Sequence, residues 1–274
     1  MAWAIIERTA PTQKHPEGVV TQWLFGPTPK QVAYFELTRR VKYALFGGAK
    51  AVAKSYGLRQ LGYRECLRIP GCRILLLRRT YGELEISHLL EMPLEAERMR
   101  QVGADYKSGI RQMDFANGSL IRAGHCETDA DMSKFLSSQW DIIIFDEIVT
   151  FLLRMFLAIA SCARTVKPQL VAEGGAKVLA ATNPAGRGGR WVKEWFIDHD
   201  VDREEFPDYD PSQWGFEQGN VDDNPYMEPG YRQTLMNLPP ILRRQWLQGD
   251  WDAAEGMFFD WQRVRHVADL GLTA

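Results

Sequence analysis

Four short aliphatic runs set the strongest limit on how this chain can fold: "YALF" (Tyr43 to Phe46), "RILLL" (Arg73 to Leu77), "DIIIF" (Asp141 to Phe145) and "KVLAAT" (Lys177 to Thr182). Each is apolar without alternation, as a strand covered on both faces must be, and the stretches between them carry helical patterns. That succession predicts an α/β fold, a mostly parallel sheet flanked by helices. In "IRQMDFANGSLIRAGH" the Asn117-Gly118 pair separates two strand-like runs and predicts a tight hairpin added to the sheet. Residues 1–40 form a lead-in segment with two proline-marked loops, and residues 41–200 hold the core. After about Gly189 the chain turns aromatic, acidic and proline-rich, which we read as a smaller helical subdomain with little strand character, over 201–259.

The first run leads into "GGAKAVAKSYGLR", which has the frame of a phosphate-binding loop: Gly48 opens it and Lys54-Ser55 close it, with Ala53 in place of the second glycine. A strand, a tight turn and a helix start converge backbone N–H groups on an anion. In this frame Gly48, Ala49, Lys50, Ala51, Val52, Ala53, Lys54, Ser55 and Tyr56 surround a nucleotide's phosphates, Lys54 reaches the terminal ones and Ser55 holds Mg2+. Alanine at 53 is tolerable where the backbone is right-handed at the helix start, and that is the expected conformation.

"DIIIFDEIV" ends in two carboxylates, Asp146 and Glu147, suited to organising a metal's water shell and activating a water. Taken alone, the same pair is also a good acidic helix start. "KVLAATNPAGRGG" places Thr182 and Asn183 at a strand's carboxyl end, where polar groups face the ligand crevice and can sense a terminal phosphate; a plain strand-to-loop turn is the competing reading.

At 274 residues and 45% hydrophobic the chain can bury a large core. The net charge of -2 excludes a globally basic nucleic-acid binder, so contact with DNA must come from local clusters. Four cysteines without C-x-x-C spacing and scattered histidines indicate neither zinc nor disulfides. No apolar run reaches membrane length, since Arg154 interrupts "IVTFLLRMFLAIASCA".

The order "TPKQ", "GGAKAVAKSYGLR", "ILLLRRTYGEL", "NGSLIRAGHCE", "DIIIFDEI", "ATNPAGRGGRWVKEWFID", "DNPYMEPGY" and "LRRQWLQGDWDAAEGMFF" resembles the ATPase half of the large terminase subunit of tailed bacteriophages, over about Pro29 to Phe259. The resemblance implies a P-loop NTPase core of the ASCE, RecA-like type with a small, mainly helical lid. It matches Lys54 and Ser55 to the loop's lysine and hydroxyl, Lys50 to a basic residue within the loop, and Asp146 and Glu147 to the magnesium-organising aspartate and the catalytic glutamate. Thr182 and Asn183 match the coupling motif, and Gln31 matches a glutamine near the adenine. Lys134 is the nearest match to a basic residue acting on a neighbouring subunit's nucleotide, with a surface lysine as the competing reading.

The function so implied is hydrolysis of ATP, with Mg2+, to drive double-stranded DNA into a procapsid. The implied partners are a portal protein, a small terminase subunit and further copies in a homo-oligomeric ring, in the host cytoplasm and transiently on the procapsid. Arg187 and Arg190 are candidate DNA contacts, with Arg78 and Arg79 as alternatives for DNA contact or core-edge ion pairing. The family's nuclease domain is expected to be missing, with 260–274 only beginning the linker to it; Asp260 alone cannot hold two metals. Two rivals share these residues: a helicase or recombinase-like ATPase, and a nucleotide-binding structural subunit with little turnover.

Overall fold

The computed structural model describes residues 3–8 and 20–253. The "EGMFF" end of the resemblance, Asp260 and the 260–274 segment lie outside the described residues. In chain order the elements are β1 (Trp3–Arg8), β2 (Val20–Phe25), α1 (Pro29–Arg40), β3 (Tyr43–Gly48), α2 (Lys54–Arg68), β4 (Arg73–Arg78), α3 (Tyr81–Leu84), α4 (Met92–Arg98), β5 (Asp105–Lys107), β6 (Gln112–Asp114) and β7 (Leu120–His125). They continue with α5 (Asp129–Leu136), β8 (Ile142–Asp146), α6 (Leu153–Ala160), α7 (Pro168–Ala172), β9 (Lys177–Ala181), α8 (Gly189–Lys193), β10 (Trp214–Gly219), α9 (Tyr231–Met236) and α10 (Pro240–Leu247).

Strands β1 and β2 pair only with each other, antiparallel. The other eight form one sheet in the order β10-β3-β9-β8-β4-β7-β6-β5. Neighbours from β10 to β7 are parallel, and β7-β6 and β6-β5 are antiparallel. All four aliphatic runs are strands, as their unbroken apolarity requires. Their residues split by parity between two cores: Ile142 and Ile144 pack with Leu58 and Leu61 of α2, while Ile143 and Phe145 pack with Met155 and Phe156 of α6. The hairpin also forms, turning at Gly118 with φ 81° and closed by the Phe115 N–H donating to the Ser119 carbonyl. Its second arm, β7, is at the same time the parallel neighbour of β4.

The segment after Gly189 departs from expectation. Trp214–Gly219, read as lacking strand character, is β10, in parallel register with the whole of β3. "WGFEQG" has no aliphatic run because an edge strand needs pairing on one side only, and its anchor is aromatic: Trp214 stacks on Tyr43 with centroids 4.0 Å apart. Val192, Trp195, Phe196, Tyr209 and Trp214 join Phe145 and Phe156 in one cluster, so hydrophobic core continues through the boundary expected near 200. Among the described residues all four cysteines are free thiols, and no helix is long and apolar enough to cross a membrane.

Sheet order determines what can meet at the carboxyl ends of the strands. β3 leads into the glycine-opened loop and β8 ends in the acidic pair, and β9 lies between them. The residues following β9 therefore emerge between loop and carboxylates.

Candidate nucleotide site

The loop from Gly48 to Ala53 is held by contacts that shape it. Gly48 has φ 113°, and a Cβ there would lie 2.2 Å from the Gly219 carbonyl oxygen, so only glycine fits. The Ala49 N–H donates to that carbonyl at 2.9 Å and the Lys50 N–H donates to the Trp246 carbonyl at 2.7 Å. Val52 is buried and packs beside Gly219. Past these anchors, the N–H groups of Ala51, Val52, Ala53, Lys54 and Ser55 meet no acceptor among the described residues. They cluster at the start of the fifteen-residue α2, where the helix dipole adds to their attraction for an anion.

Ala53 has φ 55° and ψ 40°, a left-handed conformation, not the right-handed one expected for it. Its carbonyl accepts from Gln31 Nε2 at 3.0 Å and from the Gly57 N–H at 2.9 Å, and these two bonds fix the peptide. Any Cβ is strained there by about 1–2 kcal/mol relative to the right-handed region, and alanine carries that strain. Gln31 is held at both ends of its amide, because its Oε1 also accepts from the Thr28 N–H in a capping box at the start of α1. It is thus a brace between α1 and the loop's end.

Lys54, Glu147, Thr182 and Asn183 form one connected group. Lys54 Nζ donates to the Ala49 carbonyl at 2.5 Å and to Asn183 Oδ1 at 2.7 Å. Asn183 Nδ2 donates to Glu147 Oε1 at 3.2 Å, and the Thr182 hydroxyl donates to Glu147 Oε2 at 2.9 Å. Burial lowers the Lys54 pKa to about 8, although Glu147 and Asp146 oppose the shift.

The adjacent carboxylates sit in opposed environments. Burial and the charge of Asp146 raise the Glu147 pKa. Burial would do the same to Asp146, but a hydrogen bond from His88 and the charge of Arg78, 3.6 Å away, outweigh it and hold Asp146 low. Two neighbouring acids pushed apart in this way suit one fixed anion and one proton acceptor. Ser55, at the start of α2, adds to the lowering of the Asp146 pKa. This pair of oxygen donors fits a hard divalent cation that keeps most of its waters.

The other expected residues lie further out. Lys50 Nζ sits 3.1 Å from the centre of the Trp246 ring, and Tyr56 is partly exposed beside the Arg59 guanidinium. Lys134 is exposed at the end of α5 and paired with Asp131 at 2.7 Å, outside this group. Arg187 lines a cavity of about 630 Å³ with Arg190, Lys193, Trp251 and the loop after Asn183; Arg190 pairs with Glu194. Arg78 turns to Asp146 and Arg79 donates to the Cys126 carbonyl, both core-edge roles. Sequence reading missed His88, whose Nε2 lies 2.9 Å from Asp146 Oδ2. "ISHLLE" matches no motif, and nothing in it signals the contact.

A glycine-opened loop at a helix start, a buried lysine and an acidic pair two strands away define a P-loop NTPase core of the type with an added central strand. Among solved structures this is the fold of large-terminase ATPase domains. The chain is similar to the large terminase of a thermophilic bacteriophage, at 13% identity and a TM-score of 0.64 over 83% of this chain and 54% of that one. The same terminase in complex with ADP matches at 14% identity and a TM-score of 0.62, over 82% of this chain and 54% of that one. The chain is also similar to the ATPase domain of the Thermus phage P74-26 large terminase, at 18% identity and a TM-score of 0.57 over 83% of this chain and 94% of that one. It thus spans about half the length of the first of these terminases. No family model and no curated protein matches the sequence.

Proposed function

We propose that this chain is the ATPase of a viral DNA-packaging motor, hydrolysing ATP to move double-stranded DNA into a procapsid. The observation that supports it best is the group of five unsatisfied amides at the start of α2, with the buried Lys54 ammonium beside them and Glu147 linked to that ammonium through Asn183. The amides and Lys54 bind and orient the β- and γ-phosphates. Ser55 and Asp146 would hold Mg2+, which would supply charge to offset the phosphates and would order water. Glu147, clamped by Thr182 and Asn183, accepts a proton from the attacking water, and loss of the terminal phosphate frees Lys54 and Asn183 to re-pair. Because both clamps lie just past β9, the chemistry is tied to the loop that continues to Arg187 and Arg190.

In the assembled motor, copies form a ring on a portal protein with a small terminase subunit. Lys134 faces the nucleotide of the neighbouring copy, and Arg187 and Arg190 contact the DNA backbone. The test is Glu147→Gln, which keeps the shape and removes the base. Turnover should fall by roughly 10²–10⁴-fold with ATP binding little changed; undiminished phosphate release would remove Glu147 from catalysis. Stimulation of wild-type turnover by double-stranded DNA is expected, and its absence would count against the motor.

A further inference from the structure

We infer that His88 is a positioning residue for the site, holding the Asp146 carboxylate in the orientation needed to bind magnesium-nucleotide. The inference rests on the nucleotide reading above.

His88 lies on a π-helical turn, Glu85–Leu89, between α3 and α4. His88 is 0% exposed, as are Leu84 and Met92 four residues to either side of it, whereas Ile86 is 69% and Leu90 60% exposed. In that inward row the imidazole is the polar exception between two aliphatic side chains. The extra residue of a π turn rotates side chains relative to the α-helical register, and such turns recur at functional sites. A fully buried imidazole must find its hydrogen-bond partners inside the protein.

The partners of the ring define that requirement. Arg59 Nη1 lies 3.4 Å from His88 Nδ1, and a guanidinium can only donate, so Nδ1 is the acceptor. The ring proton is therefore on Nε2 and is donated to Asp146 Oδ2 at 2.9 Å. Arg59 is itself immobilised: Nε and Nη2 donate to the two oxygens of Glu95 at 2.8 and 3.0 Å, and Nη1 donates to the Ser87 carbonyl. Glu95 accepts further bonds from Tyr63 and Gln60. A satisfied core histidine would need no charged partner on either side. This one joins a braced arginine to the acid of the candidate metal site, the arrangement by which outer groups orient ligands and tune affinity.

Asp146 and Glu147 thus have separate supports. Thr182 and Asn183 hold Glu147 from β9's end, and His88 holds Asp146 from the opposite side of β8. Losing His88 should impair the magnesium-dependent part of nucleotide binding and spare the part due to the loop amides and Lys54.

The test measures fluorescent ADP binding to the full chain across a magnesium titration, alongside thermal melting, for wild type, His88→Ala, His88→Asn and His88→Gln. In His88→Gln an N–H remains near the position of Nε2, whereas in His88→Asn the side chain keeps polarity but falls short of Asp146. Should His88→Ala fail to fold, the Asn variant gives the same comparison. Expected are a roughly 10–100-fold rise in the magnesium concentration needed for the Ala and Asn variants, unchanged ADP affinity without magnesium, and recovery of most of the loss by Gln. An unchanged magnesium midpoint in Ala or Asn overturns the inference, as does equal loss of affinity with and without magnesium, the mark of a merely structural role. Absence of ADP binding by the wild type would instead refute the nucleotide reading, and this inference with it.

Discussion

Replacing Ala53 by glycine tests the conformation that most distinguishes this loop. An L-residue in the left-handed region costs about 1–2 kcal/mol relative to the right-handed one, and Ala53 at φ 55° cannot relax because Gln31 and the Gly57 N–H both hold its carbonyl. Glycine removes that strain but loses about 0.5–1 kcal/mol more chain entropy on folding. Ala53→Gly should therefore stabilise the protein by about 0.5–1 kcal/mol, or roughly 1–3 °C for a chain of this size. Urea unfolding followed by tryptophan fluorescence should show a higher midpoint with an unchanged slope. Nucleotide affinity should move by no more than about twofold, since the same strain is present before and after binding if the loop keeps its shape. Ala53→Val should be destabilised, because a β-branched side chain is a genuine outlier at this φ. A lower midpoint for Ala53→Gly would refute the left-handed assignment and the strain argument together.

Two further substitutions test the loop's surroundings. Gly48→Ala puts a methyl 2.2 Å from the Gly219 carbonyl at φ 113°, and should cost at least about 3 kcal/mol, as steric overlap and backbone strain each cost about 1–3 kcal/mol; a midpoint close to wild type would show that β3 and β10 are not in this register. Trp246→Ala frees Lys50 from a cation–π contact of about 0.5–2 kcal/mol, so ADP should bind a fewfold more tightly as Lys50 becomes available to phosphate. Weaker binding would mean that Trp246 supports the loop rather than competing for its lysine.

Sequence made the strands legible where burial is two-sided, because only aliphatics serve there: the runs at 43–46, 73–77, 141–145 and 177–182 each supply a strand of the parallel sheet. It failed at β10, where stacking of Trp214 on Tyr43 and backbone pairing replace an aliphatic run. Loop, acidic pair and the residues after β9 were legible because strand topology delivers carboxyl ends to one crevice. The contribution of His88 was not, since a lone histidine on a helical segment gains its meaning only from Asp146, 58 positions away. The left-handed turn at Ala53 was hidden for a similar reason: the bond from Gln31 that pins it spans 22 positions.

The strain is concentrated where the chemistry would be. Of the five non-glycine residues with positive φ among those described, Ala51, Ala53 and Glu147 belong to the site. Each such conformation costs on the order of 1–3 kcal/mol and persists only where the surroundings over-determine it. At Glu147 the need is geometric. Successive residues of a strand point to opposite faces, so an extended continuation of β8 would send the two carboxylates apart. The turn at φ 54° instead ends the strand at Asp146 and brings Glu147 beside Thr182 and Asn183, while Asp146 stays with Ser55 and His88. One left-handed residue thereby gives two adjacent acids different neighbours, and with them opposite shifts in acidity.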